Sequence, residues 1–360
     1  MTVLPLAPGA AIGIIGGGQL GRMLALAAAR LGFDAVILEP EPDSPAARVA
    51  AGAVVAPYDD HVALRELAST TALVTYEFEN VPVAAVETLI AMGVEVAPGA
   101  RALAVAQDRL EEKTFLNAQN VPTVAFAAAS TAQEAIDAVA QVGAPALMKT
   151  RRDGYDGKGQ RWVEHAHEAG QAFEALGGAP VIVEAACDFV RELSVIAARG
   201  RDGSTAVYPL AENHHEHGIL RRSLAPARAD QALNEQAERI AARILAGLDY
   251  VGVIGIELFE MADGRLLVNE IAPRVHNTGH WTQDGCEVDQ FEQHIRAVAG
   301  GPLGPTRAIA QVEMLNLLGD EADGWAKFAA EPETRIHLYG KRGARPGRKM
   351  GHLNRLRPLA

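Results

Sequence analysis

Two glutamates in the C-terminal half of the chain have the type and spacing of metal ligands. Glu257 and Glu270 each interrupt an apolar segment, in the sequences GIELF and LVNEI. A short connection containing Gly264 separates the segments, so we expect an antiparallel hairpin in which the carboxylates face each other. Like charges that close raise a carboxyl pKa unless a cation lies between them, and Mg²⁺ prefers oxygen ligands. The alternative is a pair of edge carboxylates exposed to water.

Two neighbours of this pair carry polar groups that could join the site. Asn269 adjoins Glu270 but points to the opposite face of an ideal strand, so it can join only if the strand ends or twists there. The sequence APRVHNTGHWTQ follows at residues 272–283 and is expected to be a loop that runs into a helix. Arg274 in this loop could hold a small oxyanion or a phosphoryl group during transfer.

A glycine-rich stretch, KTRRDGYDGKGQ at residues 149–160, has the composition of a phosphate-covering loop. It lies between two predicted strands, so it is neither a Walker loop nor a Rossmann loop. Lys149 ends a buried strand, where an ammonium without a partner would be costly and a polyphosphate would pair it. The glycines let the loop close over phosphates, and Lys158 adds positive charge. A flexible charged hairpin tip is the other interpretation.

A second glycine motif, GGGQLG at residues 16–21, has the spacing of a dinucleotide-binding loop. It follows an apolar strand and begins a helix, and Glu39 ends the next strand, where the fingerprint places an acid that binds a ribose. The pattern itself indicates only that a backbone approaches another group closely at a helix N-terminus. Nicotinamide binding, another kind of phosphate binding, and close helix-on-strand packing are the alternatives.

The elements around these motifs predict a mixed fold. Strands alternate with helices in the first hundred residues, which indicates a parallel sheet covered on both faces and a boundary near Pro98 and Gly99. The spacing then becomes more hairpin-like, and a smaller region begins at 300–302. The predicted strands are 11–15, 35–38, 53–55, 72–75, 94–97, 145–150, 181–185, 192–198, 204–209, 253–261, 265–271, 310–316 and 334–338, and the predicted helices include 61–69, 83–92, 108–119 and 231–248.

The composition restricts the partners. The 360 residues carry a net charge of −12, and no long basic run precedes the last twenty residues. An acidic chain repels nucleic acid and anionic membranes, so neither is expected as a partner. The sequence has no run of 18 uncharged apolar residues that would predict a membrane-spanning helix. Two lone cysteines do not form a disulfide framework or a zinc site, so we expect a protein of the reducing cytoplasm.

In their order along the chain, these motifs resemble the ATP-grasp superfamily and, within it, the N5-carboxyaminoimidazole ribonucleotide synthetase family. The similarity extends from about residue 11 to residue 355. Its motifs are GGGQLGRM at 16–23, YEFENVP at 76–82, the loop at 151–160, the segment at 272–283, and RPGRKMGH at 345–352. The resemblance implies a Rossmann-like N-terminal domain at 1–99, an ATP-grasp domain at 108–300 and a small C-terminal domain at 301–360.

The resemblance also implies a reaction. ATP phosphorylates bicarbonate to carboxyphosphate, and the exocyclic amine of 5-aminoimidazole ribonucleotide captures that intermediate or the carbon dioxide released from it. ADP, phosphate and N5-carboxyaminoimidazole ribonucleotide leave, in a step of purine (IMP) biosynthesis. The cofactors would be ATP and Mg²⁺, and the partners would be small molecules. The family also implies a cytoplasmic homodimer.

The nucleotide-binding residues carry over from the family by position. Glu257 and Glu270 would hold Mg²⁺, with help from Asn269. Arg109 and Lys149 would contact the phosphates. The other predicted positions are Gly154, Tyr155, Asp156, Gly157, Lys158, Gly159 and Gln160 over the phosphates, Glu184, Ala185, Ala186 and Cys187 along the adenine, Glu192 at the ribose hydroxyls, and His215 in the same pocket.

The ribonucleotide needs a positive site for its own phosphate. The tail motif supplies Arg345, Arg348 and Lys349, for which a solubilising basic tail is the alternative role. Arg274 and Lys349 are the predicted catalytic residues. The other substrate-binding positions that the resemblance implies are Gly18, Gln19, Leu20, Glu77, Tyr155, Arg274, His276 and Asn277.

Rival functions use part of the same sequence. A nicotinamide-dependent oxidoreductase would explain the first glycine motif but leaves Glu257, Glu270 and the second glycine loop without a role. Another ATP-grasp ligase, such as a formate-using purine enzyme, is the nearer rival, and YEFENVP and RPGRKMGH favour the bicarbonate enzyme over it. A non-enzymatic nucleotide sensor is the third alternative. Binding of magnesium-ATP without binding of nicotinamide cofactor would exclude the oxidoreductase.

Overall fold

The computed structural model of the chain describes residues 5–154 and 157–359. Tyr155 and Asp156, two of the predicted nucleotide-binding residues, lie outside the described residues. Within the described ranges the strands form three sheets, which we call the N-terminal, lobe and central sheets. No helix in this part of the chain is long and apolar enough to cross a membrane.

The N-terminal sheet is parallel, with the strand order β3-β2-β1-β4-β5. Its first strand has the sequence AIGII and is buried, as expected for a parallel strand with helices on both faces. The doubly wound α/β prediction is therefore confirmed. The elements are β1 (Ala11–Ile15), α1 (Gln19–Arg30), β2 (Asp34–Leu38), β3 (Gly52–Val54), α2 (His61–Thr70), β4 (Leu73–Tyr76), α3 (Val83–Ala91) and β5 (Glu95–Val96).

The lobe sheet is antiparallel, with the order β6-β9-β7-β8. Two helices lead into it from the N-terminal domain. The glycine-rich stretch joins β7 to β8, between two strands as the sequence predicts. The elements are α4 (Ala100–Ala106), α5 (Arg109–Ala118), β6 (Phe126–Ala129), α6 (Ala132–Val142), β7 (Ala146–Thr150), β8 (Gln160–Val163), α7 (Ala169–Ala175) and β9 (Val181–Ala185).

The central sheet is antiparallel, with the order β15-β14-β10-β12-β13-β16-β18-β17 and β11 paired to β10. Its elements are β10 (Phe189–Arg199), β11 (Thr205–Val207), β12 (Ala211–Glu216), β13 (Ile219–Ala225), α8 (Gln231–Gly247), β14 (Gly252–Met261), β15 (Leu266–Ala272), α9 (Thr282–Gly285), α10 (Gln290–Val298), β16 (Gln311–Leu318), α11 (Trp325–Ala329), β17 (Thr334–Leu338) and β18 (Lys349–Arg357). Short 3₁₀ turns lie at Ala47–Val49, Ala166–Glu168, Asn277–Gly279 and Gly319–Gly324.

The region predicted as a small C-terminal domain shares its sheet with the preceding region. Strand β16 pairs with β13, in a register that sets Leu315 opposite Arg222, and β18 and β17 extend the sheet beyond it. A single hydrogen-bonded sheet therefore carries both the predicted metal hairpin and the predicted phosphate-binding tail.

Helix α5 is anchored at the base of the glycine-rich loop. Asp108 caps the helix by accepting a hydrogen bond from the Leu110 N–H at 3.0 Å. The same carboxylate pairs with the Arg151 guanidinium, 2.7 Å from Oδ2 to Nη2, and the Arg109 N–H donates to the Arg151 carbonyl at 2.9 Å. A cap of this kind contributes about 1 kcal/mol. The first turn of α5 and the end of β7 are therefore fixed to each other.

Candidate active site

A cavity of about 460 Å³ lies where the three sheets meet, and this volume suits a small-molecule site. Predicted residues from both halves of the chain line this cavity. Those that line it are Gln19, Leu20, Arg109, Lys149, Gly154, Gly157, Lys158, Gln160, Glu184, Ala185, Cys187, Glu192, His215, Glu257, Asn269, Glu270, Arg274, His276, Asn277 and Lys349. Among the described residues, the predicted positions outside its lining are Gly18, Glu77, Gly159, Ala186, Arg345 and Arg348.

The metal hairpin has the expected pairing and one irregularity. Glu257 on β14 lies directly opposite Glu270 on β15, whereas the next pair is Leu258 with Val268. Asn269 is therefore an extra residue on β15, which makes a β-bulge. Its side-chain nitrogen lies 3.5 Å from Glu257 Oε2. We expected Asn269 to share a site with Glu270 only if the strand ended or twisted there, and the bulge provides this irregularity.

The two carboxylates differ in their electrostatic surroundings. Burial, and then the charge of Glu270, raise the pKa of Glu257 to about 7. Burial also opposes ionisation of Glu270, but Arg109, with Nη1 3.0 Å from Glu270 Oε2, lowers the pKa of that carboxyl. A cation between the pair would offset the repulsion that contributes to the raised pKa of Glu257.

The donor set at the hairpin fits Mg²⁺ that arrives with a nucleotide. The described residues contain no cluster of three or more His, Cys, Asp or Glu placed to hold a metal ion by themselves. Two carboxylates and the Asn269 amide are all that this hairpin offers. Because Mg²⁺ in nucleotide sites is bound by one or two carboxylates together with phosphate oxygens, this set is sufficient.

The phosphate side of the cavity is built on two basic residues with acidic partners. Arg109 donates to the Gly154 carbonyl at 3.2 Å as well as to Glu270, so it connects the glycine loop to the hairpin. Lys149 Nζ lies 2.6 Å from Glu184 Oε2. Although burial opposes ionisation of Glu184, the neighbouring lysines lower its pKa to about 2. The sequence predicted that Glu184 lies along the adenine and that a polyphosphate pairs with Lys149. In the structure Glu184 itself forms an ion pair with Lys149.

The part of the cavity that the sequence predicts to bind the ribose contains a hydrogen-bonded acid–histidine pair. Glu192 on β10 and His215 on β12 lie on adjacent strands, with 2.6 Å between Glu192 Oε2 and His215 Nδ1. Burial opposes protonation of His215, but its hydrogen bond to the Glu192 carboxylate raises its pKa. The pair offers both an acceptor and a donor to hydroxyl groups.

A largely buried arginine lines another part of the cavity. Arg274 pairs through Nε with the Glu79 carboxylate, and that charge lowers the pKa of Glu79 to about 2 although burial opposes ionisation. Burial, and then the charge of Arg274, lower the pKa of His276 to about 3, so His276 is neutral near pH 7. Asn277 forms a reciprocal amide pair with Asn316, at 3.0 and 2.8 Å.

The first glycine motif is occupied by the protein's own carboxylates. The Gly17 N–H donates to Glu39 Oε2 at 2.7 Å, and Tyr58 Oη donates to the same oxygen at 2.6 Å. The N–H groups of Gly18 and Gly21 donate to the two oxygens of Glu77. Glu39 is therefore committed to the loop and is not available to a ribose, which argues against the nicotinamide interpretation.

The basic tail divides into one residue at the cavity and two away from it. Lys349 begins β18 and lines the cavity. The Arg348 guanidinium donates to the carbonyls of Arg342 and Gly343, at 2.6 and 2.8 Å. Arg345 is exposed. The structure thus brings only Lys349 of the three predicted tail residues to the cavity.

Several cavity residues were not identified from the sequence. They include Glu112 on α5, Glu79, and the aromatic residues Trp162, Phe189 and Phe259. A signal was present for α5, because Arg109, Glu112 and Lys113 lie three and four residues apart and so share one helix face. Three charged residues on one face of a helix indicate a polar site.

Family models match three successive stretches of the chain. The ribonucleotide synthetase preATP-grasp domain matches residues 10–107, the ATP-grasp domain matches 114–291, and the phosphoribosylaminoimidazole carboxylase C-terminal domain matches 313–358. The N5-carboxyaminoimidazole ribonucleotide synthase of Brucella melitensis biotype 1 is 49% identical over 360 residues, covering 99% of each chain.

Solved structures extend the similarity to three dimensions. The N5-carboxyaminoimidazole ribonucleotide synthetase of Thermus thermophilus has a TM-score of 0.90 and 47% identity, covering 96% of this chain and 93% of that one. The N5-carboxyaminoimidazole synthase of Aspergillus clavatus, in complex with ADP and 5-aminoimidazole ribonucleotide, has a TM-score of 0.91 and 32% identity, covering 98% and 95%. With this identity along nearly its whole length, the chain belongs to the N5-carboxyaminoimidazole ribonucleotide synthase family of ATP-grasp ligases.

Proposed function

We propose that the chain catalyses the ATP- and bicarbonate-dependent carboxylation of 5-aminoimidazole ribonucleotide to N5-carboxyaminoimidazole ribonucleotide, with release of ADP and phosphate. The observation that carries the proposal is the composition of one cavity. Its lining includes Arg109, Lys149 and the acidic hairpin, together with two further cationic side chains, Arg274 and Lys349. A nucleotide and a second anionic substrate can therefore meet within one enclosed space.

The reaction would proceed in two steps within this cavity. A bicarbonate oxygen attacks the γ-phosphorus of ATP, the bond to the β-phosphate oxygen breaks, and carboxyphosphate and ADP form. Arg109 and Lys149 stabilise the charge that develops on the transferred group and on the leaving phosphate. The exocyclic amine of the ribonucleotide then attacks the carboxyl carbon, or the carbon dioxide that carboxyphosphate releases, and phosphate departs.

Arg274 is placed to hold the small oxyanion. Its guanidinium is fixed by Glu79 and faces the cavity near Asn277 and His276. Because His276 is neutral near pH 7, it can accept a hydrogen bond, as well as donate one, without adding charge. Lys349 and the backbone of Gln19 and Leu20 would bind the ribonucleotide on the same side.

The hairpin would bind Mg²⁺ through Glu257 and Glu270, with Asn269 assisting. When bound, Mg²⁺ neutralises phosphate charge and orients the γ-phosphoryl group. The contribution of the chain is to keep two carboxylates opposed, with Arg109 beside one of them.

ADP release from magnesium-ATP, measured with and without the ribonucleotide and with and without bicarbonate, tests the proposal. We expect release that is stimulated by the ribonucleotide and lost when bicarbonate is removed. Stimulation that ignores bicarbonate but requires formate would indicate the neighbouring ATP-grasp ligase class. No ADP under any condition, together with binding of a nicotinamide cofactor, would return the assignment to the first glycine motif.

The proposal includes a homodimer in the cytoplasm, which the family implies. Light scattering on the purified chain, compared with the 38.1 kDa expected for one copy, measures the assembly directly. A mass near that of a single copy at all concentrations would contradict the dimer and leave the reaction unaffected.

A further inference from the structure

Lys113 on α5 is a fully buried lysine that does not line the cavity. Its residue exposure is 1%. The ammonium donates to the Asn269 carbonyl at 2.7 Å and to the Val268 carbonyl at 3.2 Å, and it lies 3.4 Å from Glu184 Oε1. The ammonium therefore makes two hydrogen bonds to backbone carbonyls and one ion pair. A charge this deeply buried is retained only when such partners compensate its desolvation.

The two carbonyl groups belong to the β-bulge of the metal hairpin. In regular antiparallel pairing Asn269 would have a partner on β14, and Glu270 would shift by one position. The carbonyls on either side of the irregularity therefore need another donor, and Lys113 supplies it. One position earlier on the helix, Glu112 accepts the Ile271 N–H at 2.6 Å. Consecutive residues of α5 thus hold the strand on both sides of Glu270.

Lys113 also reaches the phosphate side of the cavity through one carboxylate. Glu184 has Lys113 at one oxygen and Lys149 at the other, at 3.4 and 2.6 Å. The separation between the bulge and Lys149 therefore depends on a buried Lys113–Glu184–Lys149 row. Removing the first member leaves two carbonyls without a donor and Glu184 with one cation.

We propose that Lys113 is a positioning residue for the reaction, which fixes the bulge so that Asn269 and Glu270 point into one site and which holds Lys149 in register with them through Glu184. The inference rests on the proposed role of the hairpin as the magnesium–nucleotide site. Lys113 itself touches neither substrate nor metal. Lys113 acts through the geometry of the backbone at the bulge. We therefore expect a change of Lys113 to affect the binding of magnesium-nucleotide and not the binding of the ribonucleotide.

Lys113→Met is the variant that tests this, because it removes the charge and retains the buried stem. Calorimetric titration with ADP, with and without Mg²⁺, gives the factor by which Mg²⁺ strengthens nucleotide binding. We expect that factor to fall about tenfold, a loss typical of residues that orient metal ligands. The KM for the ribonucleotide is expected to be unchanged. Hydrogen exchange of the amides at 266–272 is expected to be faster in the unliganded variant.

Two further variants keep the outcome clear. Lys113→Gln retains one donor, so its loss should be smaller than that of Lys113→Met and it serves if the methionine variant does not fold. Lys327→Met removes an exposed lysine on α11 and should change nothing. The double variant Lys113→Met/Asn269→Ala should lose little more than either single one, because both changes act on the same bulge.

Glu270→Gln separates failure of this inference from failure of the proposed function. If Glu270→Gln abolishes the magnesium effect on ADP binding while Lys113→Met leaves it intact, the positioning role is wrong and the metal site stands. If neither variant changes the magnesium effect, the hairpin assignment itself is wrong. Full additivity in the double variant would likewise contradict the mechanism, because Lys113 would then act elsewhere.

Discussion

Two pairs of glutamates differ in the groups that their carboxylate oxygens face. Glu39 and Glu77 accept hydrogen bonds from backbone N–H groups of the first glycine motif, so each oxygen that faces the loop has a donor. Glu257 and Glu270 face each other across the hairpin, and the pKa of Glu257 is raised to about 7. The first pair holds a loop in place, whereas the second pair is the one for which we propose a cation.

This contrast distinguishes structural acids from functional ones. A buried carboxylate whose oxygens are satisfied by amides contributes to stability, and its replacement leaves donors without acceptors. A buried carboxylate held against another one is a cost to stability that a ligand relieves. Changes on the N-terminal side should therefore be detected as unfolding, and changes on the hairpin should be detected as lost turnover.

The largest expected effect is that of Glu270→Gln on turnover. Removing one charge from the hairpin weakens neutralisation of the transferred phosphoryl group, and we expect kcat to fall by about 10²- to 10³-fold. The free energy of unfolding should change by less than about 1 kcal/mol, because the lost pair with Arg109 is partly exposed. Near-normal turnover would contradict the metal assignment. Glu216→Gln, on an exposed residue of β12, is the matched control.

Glu77→Gln should have the opposite signature. An amide NH₂ placed where a carboxylate oxygen accepts from Gly18 or Gly21 leaves a buried donor unsatisfied, so unfolding in urea should show a loss of about 1–3 kcal/mol. The KM for ATP should not change. Undiminished stability with a raised KM for the ribonucleotide would instead support the sequence prediction that Glu77 contacts the substrate. Glu41→Gln, on an exposed residue of the same domain, is the control.

His294 connects the N-terminal sheet to the strand that carries Glu257, and its burial predicts that stability depends on pH. Its Nε2 lies 2.8 Å from Thr75 Oγ1 on β4, and its Nδ1 accepts the Val253 N–H on β14 at 3.1 Å. Burial lowers its pKa from 6.5 to about 3. Below about pH 6.5 the unfolded chain takes up a proton that the folded chain does not, so this group costs about 1.4 kcal/mol of stability per pH unit as the pH falls towards 3.

Urea unfolding of wild type and His294→Gln at pH 7.5 and pH 5 measures this dependence. The variant loses a buried hydrogen bond and should be the less stable protein at pH 7.5. Its deficit should shrink at pH 5, because glutamine does not titrate. An equal deficit at both values would show that His294 is protonated in the folded protein.

The smallest predicted effect is that of Lys349→Ala on substrate affinity. Loss of about one hydrogen bond to the ribonucleotide, near 1 kcal/mol, corresponds to a KM raised about fivefold. The KM for ATP should stay constant, as it should for both substrates in Lys327→Ala. If the KM for ATP rose instead, β18 would face the nucleotide, and the assignment of Lys349 to the ribonucleotide would be wrong.

The N-terminal fold and the facing acids could be predicted because both follow from simple periodicity. The parallel strands are continuous apolar runs, and Glu257 and Glu270 stand out against apolar neighbours. Strand β12 escaped prediction because its sequence AENHHE is polar, and its buried Asn213 is satisfied by the Ser223 hydroxyl at 2.7 Å on the adjacent strand. Such a partner exists only once the strands have paired.

The parts of the site that were not predicted depend on three-dimensional partners. A bulge at Asn269 depends on where β14 lies relative to β15, and the donor that compensates it comes from α5, 156 positions earlier. The use of the Gly18 and Gly21 amides by Glu77 likewise requires β4 to lie beside β1. The spacing of residues within one segment identifies side chains that are capable of chemistry. Only the folded structure shows which of these side chains already have hydrogen-bond or ion-pair partners within the protein.

The shared central sheet has a consequence for how this protein could be divided or recombined. Three family domains succeed one another along the chain, but β13 and β16 are hydrogen-bonded across the junction between the second and the third. A chain cut before β16 would leave β13 as an open edge, a template for association with other molecules. The boundary between the two family domains therefore does not coincide with a boundary between separately folding parts. We expect the C-terminal segment to be exchangeable between relatives only together with β13, the strand with which it pairs.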